Sequence, residues 1–178
     1  MPPEMPQIDQ LCIVHYPHPV LRQVAEPVPE VNDIVRRVAV KMLELMHRAK
    51  GVGLAAPQVA LPWRLFVANP TGDPGDDRVF INPELSDPSR ETHVHEEGCL
   101  SLPNITGEIV RPTRITIRAL DEHGEPFTLT SDELPARVWQ HEYDHLDGIL
   151  ILDRMSPIDK VANRQAVLEL EAAAKKGR

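Results

Sequence analysis

The chain has 178 residues, 42% apolar and 26% charged, with a formal net charge of −8 and a pI near 5.4. That length suits one domain with a sizeable core, and the acidic balance argues against general binding to nucleic acid, DNA included, or to anionic membranes. No apolar run approaches the roughly 18 residues needed to cross a bilayer. Met1 to Pro6 offers neither the basic nor the apolar region of a signal peptide, so a cytoplasmic location is expected.

Residues 1–10 are polar and Pro-rich and are expected to be loosely tied. Leu11 to Val14 reads as a strand, with Cys12 a small buried hydrophobe within it. A helix follows. Asn32 or Asp33 can cap it, and Ile34, Val35, Val38, Met42, Leu45, Met46 and Ala49 mark one buried face. Gly51 is the expected left-handed residue at its end. The middle of the chain reads as β-structure, with strands at Arg64–Ala68, Val79–Ile81, Ile115–Leu120 and Pro126–Thr130. Thr71 to Asp77 is a surface loop, and Asp121 to Gly124 a hairpin turn with His123 in solvent. A second helix is expected from about Asp132 to Leu146. Ser131 or Asp132 would cap it, Pro135 sits in its first turn and Gly148 stops it. Ile149–Leu152 reads as a strand. Ser156-Pro157 opens a C-terminal helix, residues 157–178, whose Lys175 and Lys176 suit its dipole.

The second helix carries the chemistry. His141-Glu142-Tyr143-Asp144-His145 reads H-E-x-x-H, and residues four apart share a helix face. Leu134, Val138, His141 and His145 fall on that face, so the imidazoles point inward, where a metal ion gives them a partner. Cys99 lies between a glycine and a polar turn, a poor place for a core residue, which marks it as the third ligand. Three ligands leave one tetrahedral position open, the signature of a catalytic site. Water there is acidified by the metal, and Glu142 can take its proton as it attacks a carbonyl and return it to the leaving nitrogen. The intermediate needs oxyanion donors. Gly51 to Gln58 holds two glycines and a glutamine amide that could supply them, although alone the segment reads equally as a helix-terminating turn and packed strand.

Three segments, Gly51–Gln58, Glu97–Ser101 and Gln140–His145, resemble in sequence and order the three motifs of the peptide deformylase family, G-ϕ-G-L-A-A-x-Q, E-G-C-L-S and Q-H-E-x-D-H. The resemblance runs from His18-Pro19 through Asn82-Pro83 to Met155-Ser156-Pro157 and leaves out only the first ten and last twenty residues. It implies an α+β fold, with mixed, mostly antiparallel sheets around a central histidine-bearing helix, in a single catalytic domain. It implies removal of the formyl group from N-terminal formylmethionine of new polypeptides. Cys99, His141 and His145 then correspond to the metal ligands and Glu142 to the general acid/base. Gln58, by its side chain, and Leu100, by its backbone N–H, correspond to the oxyanion donors. Val52, Gly53 and Gly98 match positions whose backbone pairs with the substrate peptide as an added strand. The family metal is usually Fe(II), replaceable by zinc, nickel or cobalt; spacing alone does not select among them.

An apolar pocket for the methionine side chain is expected from Val52, Leu134 and Val138. Glu97 and Arg111 match positions that pair in the family, and Asp144 could orient a ligand or neighbouring loop. Three positions depart from the pattern: Thr106 stands where some members place arginine, His95 where an apolar residue is frequent, and Arg137 at an apolar position one turn before His141. His95 is not expected as a ligand, since a fourth would close the site. A zinc peptidase using the same H-E-x-x-H helix would need neither Cys99 nor Gln58. A non-catalytic descendant would be expected to have lost Glu142 or Gln58. The basic C-terminal end makes the ribosome, where substrates emerge, a possible partner.

Overall fold

The computed structural model describes residues 5–177, so residues 1–4 of the N-terminus expected to be loosely tied, and Arg178 at the end of the expected C-terminal helix, lie outside the described residues. Helix α1 spans Asp33–Arg48, and the Asn32 side chain caps it by accepting from Val35 N at 3.1 Å. It ends in a Schellman pattern, Lys50 N to His47 O and Gly51 N to Met46 O. The left-handed residue there is Lys50, φ 56°, and not the expected Gly51. A side-chain carbon at Gly51 would lie 2.8 Å from Leu100 Cδ1, the movable end of that side chain.

Strands β1 (Gly53–Ala55), β2 (Leu65–Ala68) and β3 (Arg78–Ser86) join β6 (Ile115–Leu120) and β7 (Pro126–Ser131) in one antiparallel sheet, ordered β1-β2-β3-β6-β7. Strands β4 (Thr92–Cys99) and β5 (Leu102–Pro112) form a separate hairpin. Helix α2 (Leu134–Leu146), the single turn α3 (Ile151–Arg154) and α4 (Pro157–Lys176) complete the chain. The four expected mid-chain strands are present, and the expected α+β architecture with them.

The large sheet is covered on both faces. Alternate residues of β2 and β3 separate cleanly: Leu65, Val67, Val79 and Ile81 pack with Met42 and Met46 of α1, whereas Phe66 and Phe80 pack with Ala136 and Trp139 of α2. Double burial explains why β2 reads as a continuous apolar run. A third cluster sets Ile105 and Ile109 of β5 against Leu21, Ile151 and Met155.

Two expected strands are absent. Leu11–Val14 is irregular chain that crosses the site segments, with Val14 N on Gln58 O (2.8 Å) and Tyr16 N on Ser101 O (2.9 Å). Cys12 on it is exposed, not buried. Ile149–Leu152 gives way to the turn α3, because Asp153 Oδ2 accepts from Leu150 N at 2.8 Å and Met155 N closes on Ile151 O. Helix α2 starts at Leu134 rather than Asp132, since Ser131 Oγ binds Glu133 N just outside it. Gly148 stops α2 as expected, with φ 71°.

Candidate active site

Helix α2 divides its duties by face. Ala136, Trp139 and Leu146 enter the apolar core, and Val138, His141 and Glu142 line a cleft of about 440 Å³ between α2 and the end of β4. At that end the β4–β5 register shifts between Gly98 and Cys99, and a bulge of this kind re-aims a side chain. The Cys99 Sγ lies 3.4 Å from His145 Nε2, and one ligand atom each from Cys99, His141 and His145 falls within 4.8 Å of the others.

The donor set fits a divalent metal. A thiolate with two imidazoles on one side suits zinc or a similar first-row ion. Burial alone would discharge His141, but hydrogen bonds to Cys99 and Glu97 outweigh it and raise its pKa to about 10. A site that attracts a proton this strongly offers the same electrons to a cation, which takes the proton's place. Burial, with the charges of His141 and Arg111 adding to it, holds His145 neutral by lowering its pKa well below the ordinary value. Neutral imidazole is the ligating form.

Glu142 is buried against the backbone of β1. A side-chain carbon at Gly53 would lie 2.5 Å from its Oε1, so only glycine leaves room for the carboxyl. Its Oε2 has no hydrogen-bond partner among the described residues. Burial, reinforced by Glu97 and Asp144 and opposed by His141 and Arg111, raises this carboxyl to about 7. Gln58 sits on a 3-10 turn, Ala56–Val59, and is 1% exposed. Its Oε1 accepts from Ala55 N at 2.9 Å, which turns Nε2 towards Cys99 Sγ (3.5 Å) and Ser101 Oγ (3.2 Å).

Every expected site residue except His145 lines the cleft, Gly53, Gly98 and Leu100 among them; His145 lies beneath it, 1% exposed. Val52 and Leu134 are about half exposed, so they form its rim, whereas Val138 is buried. Sequence reasoning missed Leu102 and Ile105, which also line it; nothing in their local pattern distinguishes them from core. It also missed Ser101, fully buried beneath Gln58. His95 is exposed and stands apart from the donor cluster, and His123 is in solvent.

Around Cys99, His141 and His145 runs a buried ion network. Arg111 binds Glu97 through two bonds of 2.6 and 2.8 Å and Asp144 through one of 2.9 Å; Glu97 in turn meets His141 Nδ1 at 2.8 Å. Burial alone would raise the Glu97 carboxyl, but Arg111 and His141 hold it well below the usual carboxylate range. Arg154 closes the far end with two bonds to Asp144. The expected Glu97–Arg111 pair is therefore present, and Asp144 connects the ligand helix to α3.

Residues 10–161 match the polypeptide deformylase family. A peptide deformylase of Rhodopirellula baltica is 46% identical over 147 residues, covering 82% of this chain and 73% of that protein. Peptide deformylase 1 of Burkholderia multivorans is 42% identical over 163 residues, 92% of this chain and 90% of that one. The crystal structure of Plasmodium falciparum peptide deformylase superposes with a TM-score of 0.89 at 37% identity, over 92% of this chain and 97% of that one. A sequence match of this length and a fold match of this closeness agree with the site geometry: the chain belongs to the polypeptide deformylase family, metal-dependent hydrolases that remove the N-formyl group from new polypeptides.

Proposed function

We propose that this chain deformylates N-formylmethionyl peptides with Cys99, His141 and His145 as metal ligands, Glu142 as general acid/base, and Gln58 with the Leu100 N–H as oxyanion donors. The observation that carries this reading is the convergence of those three ligand atoms beside a buried carboxyl with a free oxygen. When bound, a divalent metal acidifies water and polarises a carbonyl; Fe(II) is the proposed native ion, with zinc, nickel or cobalt as substitutes. Glu142 Oε2 takes the proton of the attacking water and passes it to the departing amide nitrogen. Gln58 Nε2, held in place through its own Oε1, donates to the oxygen that gains charge.

The edges of β1 and β4 flank the cleft, so Val52, Gly53 and Gly98 offer backbone for an added peptide strand. Val138 and Leu134 give the methionine side chain an apolar wall. A formyl group is the smallest acyl group, so a tight site beside Glu142 would exclude a larger one. The reading places the whole reaction in one catalytic domain acting in the cytoplasm; no helix among the described residues is long and apolar enough to cross a membrane.

The test is formate release from formyl-Met peptides by protein purified anaerobically with iron, beside Glu142→Gln. No formate from the parent, or full activity in the variant, would overturn the assignment. The ribosome is proposed as a docking partner through α4, whose Ile158 and Val161 are exposed near its start and whose last turn carries Lys175 and Lys176. Co-sedimentation of chains with and without residues 158–178 checks this, and equal binding rejects it.

A further inference from the structure

Arg137 stands where an apolar residue was expected, and its contacts give it other work. It precedes His141 by one turn of α2, lines the cleft, and its side chain is 13% exposed. Its Nη1 donates to Glu97 Oε2 at 2.6 Å and to the Ile109 carbonyl at 3.1 Å, and its Nη2 donates to the His93 carbonyl at 2.7 Å. One guanidinium thus ties α2 to both strands of the β4–β5 hairpin. Its planar fork serves three acceptors at once, which an apolar side chain cannot do.

The shared carboxylate makes this more than a surface tether. Glu97 Oε1 accepts from His141 Nδ1 at 2.8 Å, and Glu97 Oε2 accepts from Arg137. Arg137 and His141 are four residues apart, so two successive turns of α2 grip the two oxygens of one carboxylate. Glu97 lies two residues before Cys99 on β4. The grip therefore fixes the gap between the strand that carries the thiolate and the helix that carries both imidazoles. A carboxylate at His141 Nδ1 also sets the tautomer that leaves Nε2 free as a ligand. Arg111 holds the same carboxylate from β5 but makes no bond to α2 other than to Asp144, so it cannot set that gap near His141.

We propose that Arg137 is a positioning residue for the metal centre, holding Glu97 so that Cys99 and His141 stand at ligand distance. This rests on the reading of Cys99, His141 and His145 as the ligands. The test measures Co²⁺ affinity by chelator competition, the visible absorption of the cobalt protein, and kcat and KM separately, in the parent, Arg137→Met and Arg137→Lys. Removing a group that orients a ligand typically weakens metal binding by about 10- to 100-fold. Arg137→Met is expected to fall in that range, with an altered cobalt spectrum and lowered kcat. Arg137→Lys, which keeps a cation on Glu97, is expected to recover most of the affinity. Parent-like Co²⁺ affinity and spectrum in Arg137→Met, with only KM raised, would overturn the proposal and leave Arg137 as a wall of the cleft. Should Arg137→Met fail to fold, equal affinity in the parent, Arg137→Lys and Arg137→Gln overturns it as well. A parent protein that binds no Co²⁺ overturns the ligand reading itself.

Discussion

The two faces of α2 hold the molecule together by opposite means. Towards the five-stranded sheet, Trp139, Ala136 and Leu146 meet Phe66 and Phe80, whose rings stack with centroids 4.6 Å apart. Towards the β4–β5 hairpin, Arg137, His141 and Asp144 of the same helix meet Glu97 and Arg111, and the contacts are charge-assisted hydrogen bonds of 2.6–2.9 Å. Apolar packing is non-directional and tolerates small shifts. A buried carboxylate shared by two arginines and a histidine tolerates none, because a displaced partner leaves an uncompensated charge. The first face anchors the helix, and the second fixes His141 against the strand that carries Cys99. Substitutions on the two faces should therefore separate stability from function.

The largest effect is expected at Glu142→Gln. Loss of general acid/base catalysis should lower kcat by about a thousandfold, within the usual range of a hundredfold to ten-thousandfold. Stability should move the other way in chelator-treated protein. The folded carboxyl titrates at about 7, above its ordinary 4.5. Folding therefore disfavours ionisation, and that cost grows as pH rises from about 4.5 and is complete above about 7. The glutamine variant escapes it, so denaturant melts at pH 8 should show a midpoint equal to or above the parent's. A lower midpoint at pH 8 would mean that Glu142 also braces the fold.

Next comes Arg111→Ala. Breaking a buried pair from one side costs about 3–5 kcal/mol, and here it frees Glu97 and Asp144 together. Urea melts measure the loss, and chelator competition should show weaker metal binding as the His141 contact loosens. Unchanged stability and metal affinity would mean that the network does not brace the site. On the apolar face, Ile117→Val should cost about 1 kcal/mol and leave kcat per folded molecule unchanged. Ile117 is fully buried in the cluster that holds Ala136 and Trp139 of α2. A change in kcat there would erase the proposed division between the faces.

The same division decides what could be read in the sequence. Where burial is apolar the period is plain, so α1, β2, β6 and β7 emerge with their boundaries nearly right. The hairpin β4–β5 does not. On β5 the inward positions are Ile105, Gly107, Ile109 and Arg111, and on β4 the one buried residue is Glu97. A glycine and two charges occupy positions where apolar residues would announce strands. Gly107 is itself required, since a side-chain carbon there would lie 2.8 Å from Met155 Cγ. The residues that prepare the metal centre thus hide the strands that carry them. The ligands escaped this problem because H-E-x-x-H needs only helical spacing, and Cys99 was conspicuous in a polar turn. Arg137 was legible as an anomaly but not as a contact, because its three acceptors lie 28 to 44 residues away along the chain.

Helix α4 belongs to neither face and supplies the smallest expected effect. It has no fully buried residue; Ala166, Val167 and Leu170 pack on the cluster of Ile105 and Ile109, and polar side chains bind the β5 backbone: Asp159 Oδ2 accepts from Glu108 N at 3.1 Å, and Asn163 donates to the Thr106 carbonyl at 2.8 Å. These bonds satisfy groups on the β5 edge that β4 does not reach, an arrangement that blunts an open edge. Asp159→Ala removes one of them and also the Ser156 hydroxyl contact, for a net loss of about 1 kcal/mol. The informative measurement is local. Hydrogen exchange at the Glu108 amide should accelerate several-fold while the Glu97 and Ile109 amides, inside the hairpin, keep their protection. The cleft is lined by residues 102–106 of β5 but not by Glu108, so kcat and Co²⁺ affinity should stay at the parent values. A drop in either would show that the β5 edge transmits strain to Glu97, and the helix would then count as part of the frame that positions the ligands.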